Sequence, residues 1–195
     1  QNIGHADLFQ DQYDNWWVCC LGTRPTEVGF TKFTNLGRET LMYPVLWEGD
    51  WPVIYNGIPT MEVDLNDFPN HAKIVGQQKF EAFVDNFESD SLDPEWITLR
   101  ASLNGRLRLE NGKISLNGSE KNLYDVDTPT FLAVRQTEIE ETFIVQVSTE
   151  SEYKNGAAGI AVVINSDHHG ALLVKQEGTE YSVYKRVKVL DIEID

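Results

Sequence analysis

Three kinds of side chain in this sequence have the character and spacing to do chemistry. His5 follows Gly4 and stands two residues before Asp7 in the run GHADLF. On an extended strand residues i and i+2 share a face, so His5, Asp7 and Phe9 are expected to point the same way. Such a pair is either a buried histidine hydrogen-bonded to a carboxylate or carbonyl, or a metal ligand at an exposed strand end. Arg38 follows Gly37 and precedes Glu39 in LGRETLMYPVLW, at the start of a strand. A guanidinium placed there donates two parallel hydrogen bonds to vicinal hydroxyls or to a carboxylate, or else it is held in an ion pair with Glu39. Trp16, Trp17, Trp47 and Trp51 offer flat faces for sugar stacking, but tryptophans in a small β meander more often form its core. The core is the expectation here.

Other candidates carry less. Cys19 and Cys20 are the only cysteines; adjacent strand residues face opposite ways, so they read as two free packing residues rather than a bridge or half of a zinc site. The same geometry keeps His168 and His169 from sharing one metal, and a turn with exposed histidines is expected. Asp90, Asp93, Asp125 and Asp127 do not match a calcium loop of the helix–loop–helix kind. No phosphate-cradling glycine loop and no nucleophile elbow is present, and Asn117-Gly118-Ser119 fits a glycosylation acceptor.

The elements that must position these residues are strands. Short runs rich in Val, Ile, Trp, Tyr and Phe are punctuated by Gly, Asn, Asp and Pro, and helical periodicity is scarce, which predicts an all-β protein. HADLF, WWVCCLGT, RETLMYPVLW and WPVIY form an antiparallel meander over residues 1–55, and sheets of that kind are the repeating unit of β-propellers. Residues 56–79 turn to Asn, Pro, Asp, His and Lys without period and read as a linker. From 80 to 195 come FEAFVDNF, EWITLRAS, GRLRLENGKISL, TFLAVRQT, ETFIVQVSTES, GAAGIAVVINS, HHGALLVKQEG and TEYSVYKRVKVLDIEID, spaced for an antiparallel β-sandwich. Within them Phe143, Val145 and Val147 alternate onto one face.

Composition narrows the partners. Sixteen Lys plus Arg against 31 Asp plus Glu give a net charge of −15, which repels phosphate backbones and anionic lipid headgroups. Neither nucleic acid nor a membrane is expected, and no stretch approaches the roughly 20 apolar residues of a spanning helix. With 41% hydrophobic residues the chain can bury a real core. The first residues show no signal-peptide pattern; compartment and oligomeric state stay open.

Taken together, GHADLFQD, NWWVCCLGTRP, LGRETLMYPVLW and DWPVI resemble the last blade of the catalytic propeller in glycoside hydrolase family 43, in its β-xylosidase and α-L-arabinofuranosidase branch. VDNFESDSLDPEWITLR, TPTFLAVRQ and GAAGIAVVINSDHH resemble the concanavalin A-like β-sandwich that follows that propeller. The resemblance implies that Arg38 binds the sugar at the non-reducing end. It further implies that His5 lies at the propeller axis, where a calcium ion is held through water and this imidazole, and that no organic cofactor is used. The substrate implied is a xylo- or arabino-oligosaccharide, cleaved with inversion by a general base and a general acid.

Those catalytic acids belong to earlier blades, and none of Asp7, Asp11, Asp14 or Glu39 matches them. The resemblance therefore implies blades ahead of Gln1 and further sandwich strands after Asp195, a last blade with an exposed apolar face, and a piece that is inactive by itself. Two non-catalytic roles stand beside this for the sandwich. It can bind glycan, with Trp96, Tyr124, Tyr153 or Tyr181 as a platform, or it can serve as a structural module that buttresses the propeller.

Overall fold

The computed structural model describes residues 2–58, 60, 62–75, 82–148 and 156–195. The chain divides into two compact units. The first is Gln1–Ala82 with Gln136–Glu141, and the second is Phe83–Arg135 with Thr142–Asp195. Regular structure among the described residues is strand apart from one four-residue helix, and no helix is long and apolar enough to cross a membrane.

The first unit is built on the expected meander. Strands β1 (Gly4–Gln10) and β2 (Trp16–Gly22) lie beside two more, Glu39–Glu48 and Trp51–Ile54, in chain order. The stretch between, TRPTEVGFTKFTNLG, adds a hairpin to the four expected strands: β3 (Thr26–Val28) and β4 (Thr31–Phe33), closed through Gly29 and Phe30. Glu39–Glu48 and Trp51–Ile54 are therefore β5 and β6.

The β2–β5 register, Val18 opposite Tyr43 and Trp16 opposite Val45, puts alternate residues on one face. On that face Val18, Cys20, Tyr43 and Val45 form the core, with Trp16, Leu41, Tyr55 and Val63 packed around them. Thr60, Val63, Asp64 and Phe68 supply the cover. The Tyr43 hydroxyl donates to the Thr60 carbonyl at 2.8 Å, and the Asp64 N–H donates to the Tyr55 hydroxyl at 3.1 Å. Helix α1 (Pro69–Ala72) buries His71, whose Nε2 meets the Trp16 carbonyl at 2.9 Å while its ring stands edge-on to Trp17.

The other face of the meander carries Phe9, Met42, Leu46 and Trp51, all exposed, which is the apolar face expected of this sheet. The tryptophans do not divide by face: Trp17 shares the face of Phe9 and Trp51, and Trp47 shares the core face of Val45. Trp17 is 2% exposed, Trp47 is 41% exposed and Trp51 is 74% exposed. The expectation of a tryptophan core holds for Trp17, which is buried against His71, and for half-buried Trp16, which packs on the core cluster edge-on to Trp47; it fails for Trp51 on the edge strand β6.

In the second unit a four-stranded antiparallel sheet follows the sequence pattern closely: β11 (Ala157–Asn165), β12 (His168–Glu177), β13 (Glu180–Val189) and β14 (Ile192–Ile194). The last predicted run is two strands, because the chain turns at Leu190-Asp191, where the Leu190 N–H donates to the Asp167 carbonyl at 2.8 Å. Ahead of this sheet lie two short pairs, β7 (Ile97–Thr98) with β10 (Leu132–Ala133), and β8 (Leu107–Leu109) with β9 (Ile114–Leu116).

Two expected strands are not formed among the described residues, in 82–87 and 141–148. Phe143, Val145 and Val147 alternate as predicted and are less exposed than Ile144 at 87%, but they find no neighbouring strand. Alternation marks a face; only pairing makes a strand.

Candidate functional site

Arg38 stands on the connection from β4 to β5, one residue before β5 begins, and Gly37 turns the chain there with φ +74°. Its guanidinium is exposed, and among the described residues it has no hydrogen bond or ion pair. The ion pair with Glu39 weighed from the sequence is absent because another arginine has taken that carboxylate. Arg24 Nε reaches Glu39 Oε2 at 2.9 Å and Oε1 at 3.1 Å, and Arg24 Nη2 reaches Oε1 at 2.8 Å. The Glu39 hydrogen bond raises the pKa of Arg24 above the ordinary arginine value, against the desolvation that opposes its charge. The fork geometry is the strong form of a carboxylate–guanidinium pair.

His5 lies in β1, exposed, at a place where the strand is irregular. Gly4 pairs with Leu21 and Asp7 with Cys19, so two residues of β1 face one of β2, and His5 adopts φ +56°. A bulge of this kind re-aims side chains. The expectation that His5 and Asp7 share a face by simple alternation does not survive it, although Asp7 and Phe9 remain in regular register. No group of three or more His, Cys, Asp or Glu side chains is placed to hold a metal ion among the described residues. Calcium takes six to eight oxygen ligands, so this chain offers one imidazole and not a coordination sphere.

The remaining candidates are structural. Asp11 organises the β1–β2 turn: its carboxylate accepts from Trp17 Nε1 at 2.7 Å, Asn15 Nδ2 at 3.0 Å and the Tyr13 N–H at 2.8 Å. Desolvation pushes that carboxyl up, but the Trp17, Asn15 and Tyr13 hydrogen bonds outweigh it and hold it at about 2. Such a group is a permanent anion, unsuited to proton transfer near neutrality. Asp93 and Asp125 accept from the Glu95 and Asn122 N–H groups, and Asp127 pairs with Lys121.

His168 and His169 open β12 rather than a turn, and His169 is buried with Nδ1 unpartnered among the described residues. Cys19 and Cys20 are free, and burial pushes the Cys20 thiol up. In the second unit Trp96 is not an open platform: Phe87 stacks on it at 5.7 Å, Phe83 meets it edge-on at 5.5 Å, and its Nε1 donates to Asp85 at 2.7 Å. Tyr153 lies outside the described residues. A cleft of about 340 Å³ lined by Tyr13, Asn15, Asn70 and Lys73 contains no carboxylic acid.

Among the described residues Arg38, Arg108 and Arg135 are exposed and unpaired; of these Arg38 alone lies between residues held by Asn35 and Arg24, and no pair of carboxyl groups is poised for acid–base work. The comparison that decides the family is with the beta-xylosidase C-terminal concanavalin A-like domain (GH43_C2), whose model matches residues 84–193. The chain belongs to that family. A non-reducing end alpha-L-arabinofuranosidase, BoGH43B of Bacteroides ovatus, is 30% identical over the whole of this chain, which covers 36% of it. A xylosidase/arabinosidase of Butyrivibrio fibrisolvens is 26% identical over 99% of this chain and 37% of its own length. Among solved structures, the Bacteroides ovatus xyloglucan-locus GH43B protein superposes with a TM-score of 0.67 at 26% identity, covering all of this chain and 38% of that one. The GH43_C2 chain spans about a third of the length of the curated relatives it matches.

Sequence reasoning missed Arg24, Asn35 and the stretch 136–141 that they hold. A signal for Arg24 was present: Pro25 holds the backbone of Arg24 extended, just past the end of β2 and so beside Glu39, which opens the paired strand β5.

Proposed function

We propose that this chain is the C-terminal part of a glycoside hydrolase that removes terminal xylose or arabinose from hemicellulose oligosaccharides. In it Arg38 binds the terminal sugar, while the general acid and general base lie in the part of the enzyme that precedes Gln1. The observation that carries the reading is the free guanidinium of Arg38, exposed while the neighbouring Glu39 is claimed by Arg24. A guanidinium without a counter-ion presents paired donors to vicinal hydroxyls. The relatives' names, arabinofuranosidase and xylosidase, support the substrate class.

Chemistry of this class needs one carboxylate to activate water and one carboxylic acid to protonate the leaving oxygen, about 6.5–9.5 Å apart for inversion. Asp11 is held as an anion by four neighbouring donors, and Glu39 is neutralised by Arg24, so neither is offered for either role. The residues of this chain therefore bind and orient. Were a calcium ion held at the propeller axis, His5 would be the residue of this chain beside it, and its oxygen ligands would have to come from elsewhere in the enzyme.

A glycan-binding role for the sandwich is the second reading: Phe87 stacks on Trp96, Phe83 meets it edge-on and Asp85 takes its N–H, which leaves Tyr124 and Tyr181, 36% and 57% exposed, as the open aromatic residues among those named. The test is steady-state kinetics of the full-length enzyme on aryl xyloside and aryl arabinofuranoside. Arg38→Ala is expected to lower kcat/KM by roughly 10- to 100-fold, the loss of one charge-assisted contact or more. Unchanged kinetics removes Arg38 from the site.

A further inference from the structure

The loop that carries Arg38 is tied down on both sides to one short stretch of chain, residues 136–141, which clusters with the first unit. Asn35, three residues before Arg38, donates its Nδ2 to the Ile139 carbonyl at 3.1 Å. Glu39, one residue after Arg38, is held in the Arg24 fork at 2.8–3.1 Å. The same guanidinium donates to the Thr137 carbonyl and pairs with Glu138 Oε2 at 3.2 Å. Arg24 thus joins the start of β5 to residues 137 and 138 through one planar group.

The stretch it grips is itself braced. Gln136 Nε2 donates to the carbonyls of Glu138 at 2.7 Å and Ile139 at 3.2 Å, and the Thr137 N–H donates to Glu141 Oε2 at 3.1 Å. These bonds hold the backbone of the stretch that Arg24 and Asn35 grip. A loop residue is only as well placed as the contacts on either side of it, and a displacement of about 1 Å at a substrate-orienting group costs roughly 100-fold in rate.

We propose that Arg24 is a positioning residue for Arg38: together with residues 136–141 it fixes the 35–39 loop so that the Arg38 guanidinium is presented to the terminal sugar. The inference rests on the sugar-binding reading of Arg38. It requires the fork and not merely a positive charge, because a lysine cannot span Glu39, the Thr137 carbonyl and Glu138 at once.

The experiment is a double-mutant cycle in the full-length enzyme, read as kcat/KM on an aryl glycoside, with thermal melts to verify folding. Arg24→Ala is expected to lower kcat/KM about 10-fold in the parent but less than about 2-fold in an Arg38→Ala background, because the group it positions is already gone. Arg24→Lys is expected to behave like Arg24→Ala. Equal losses from Arg24→Ala in both backgrounds overturn the inference and leave a general structural role. Full activity in a folded Arg24→Ala enzyme overturns it too. Should Arg24→Ala fail to fold, Asn35→Ala takes its place, with the same non-additivity expected and an additive loss overturning the inference. Full activity in Arg38→Ala overturns the sugar-binding reading and this inference with it; impaired Arg38→Ala with additive losses overturns the positioning role alone.

Discussion

Arg24 holds both carboxylate oxygens of Glu39, with Nε at 2.9 Å from Oε2 and Nη2 at 2.8 Å from Oε1, and the consequence falls on Arg38, the residue next to Glu39 in the chain. Two arginines compete for one acid at the start of β5. Arg24 wins because it meets the carboxylate in a fork with its side chain largely covered, at 27% exposure against 25% for Glu39. Arg38 is left charged, exposed and without a counter-ion among the described residues.

The β1–β2 turn gives a prediction about acid. The carboxyl of Asp11 is held at about 2 by hydrogen bonds from Trp17, Asn15 and Tyr13, acting against desolvation, where a free aspartate sits at 3.8. A folded-state pKa below the unfolded one gives a stabilisation present in full above the unfolded value and lost as pH falls through the folded one. The turn is expected to contribute undiminished above about pH 4 and to lose its contribution between about pH 4 and pH 2. A carboxyl ¹³C titration of Asp11 should show a midpoint near 2; a midpoint near that of a free aspartate contradicts the hydrogen-bonded turn.

Close strand packing gives a second. A Cβ added at Gly159 would lie 2.0 Å from the backbone carbonyl oxygen of Leu172, which the strand pairing fixes in place. Gly159→Ala must therefore push β11 from β12, at a cost of about 1–3 kcal/mol. Denaturant unfolding should register that loss. A variant as stable as the parent would mean the two strands part freely.

Exposed apolar surface gives a third. Phe9, Met42, Leu46 and Trp51 lie uncovered on one face of the first sheet, and Val162, Leu172, Val183 and Ile194 lie uncovered on one face of the second. Patches of this sort drive association. Residues 1–195 expressed alone are expected to bind a hydrophobic dye and to elute above monomer mass, and Trp51→Lys with Leu46→Lys should reduce both signals. A monomer that ignores the dye contradicts the exposed faces.

What the sequence disclosed follows from what each signal encodes. The β1, β2, β5, β6 meander and the β11–β14 sheet were legible because their strands pair with sequence neighbours, so alternation and the turns between strands carry the whole pattern. The stretch 141–148 alternates but has no partner strand among the described residues, and the β3–β4 hairpin lies inside a polar run. Packing of residues 56–75 through Thr60, Phe68 and His71 was invisible because single long-range contacts leave no period. Arg38 was visible through its setting, LGRET. The residues that hold it were not: Arg24 and Glu138 lie 114 positions apart, and only the folded chain brings them together. His5 was visible as a residue type, but the bulge that turns it was not, since a one-residue register shift has no composition.

The most direct test of the account is a crystal structure of the full-length enzyme with xylose or arabinose bound as product. The account predicts the Arg38 guanidinium within about 2.7–3.2 Å of two hydroxyl oxygens of that sugar, with Glu39 still in the Arg24 fork and the nearest free carboxyl groups contributed by residues ahead of Gln1. A sugar seated in the catalytic pocket with Arg38 turned to solvent, or with a carboxyl group of this chain at its anomeric carbon, would contradict it.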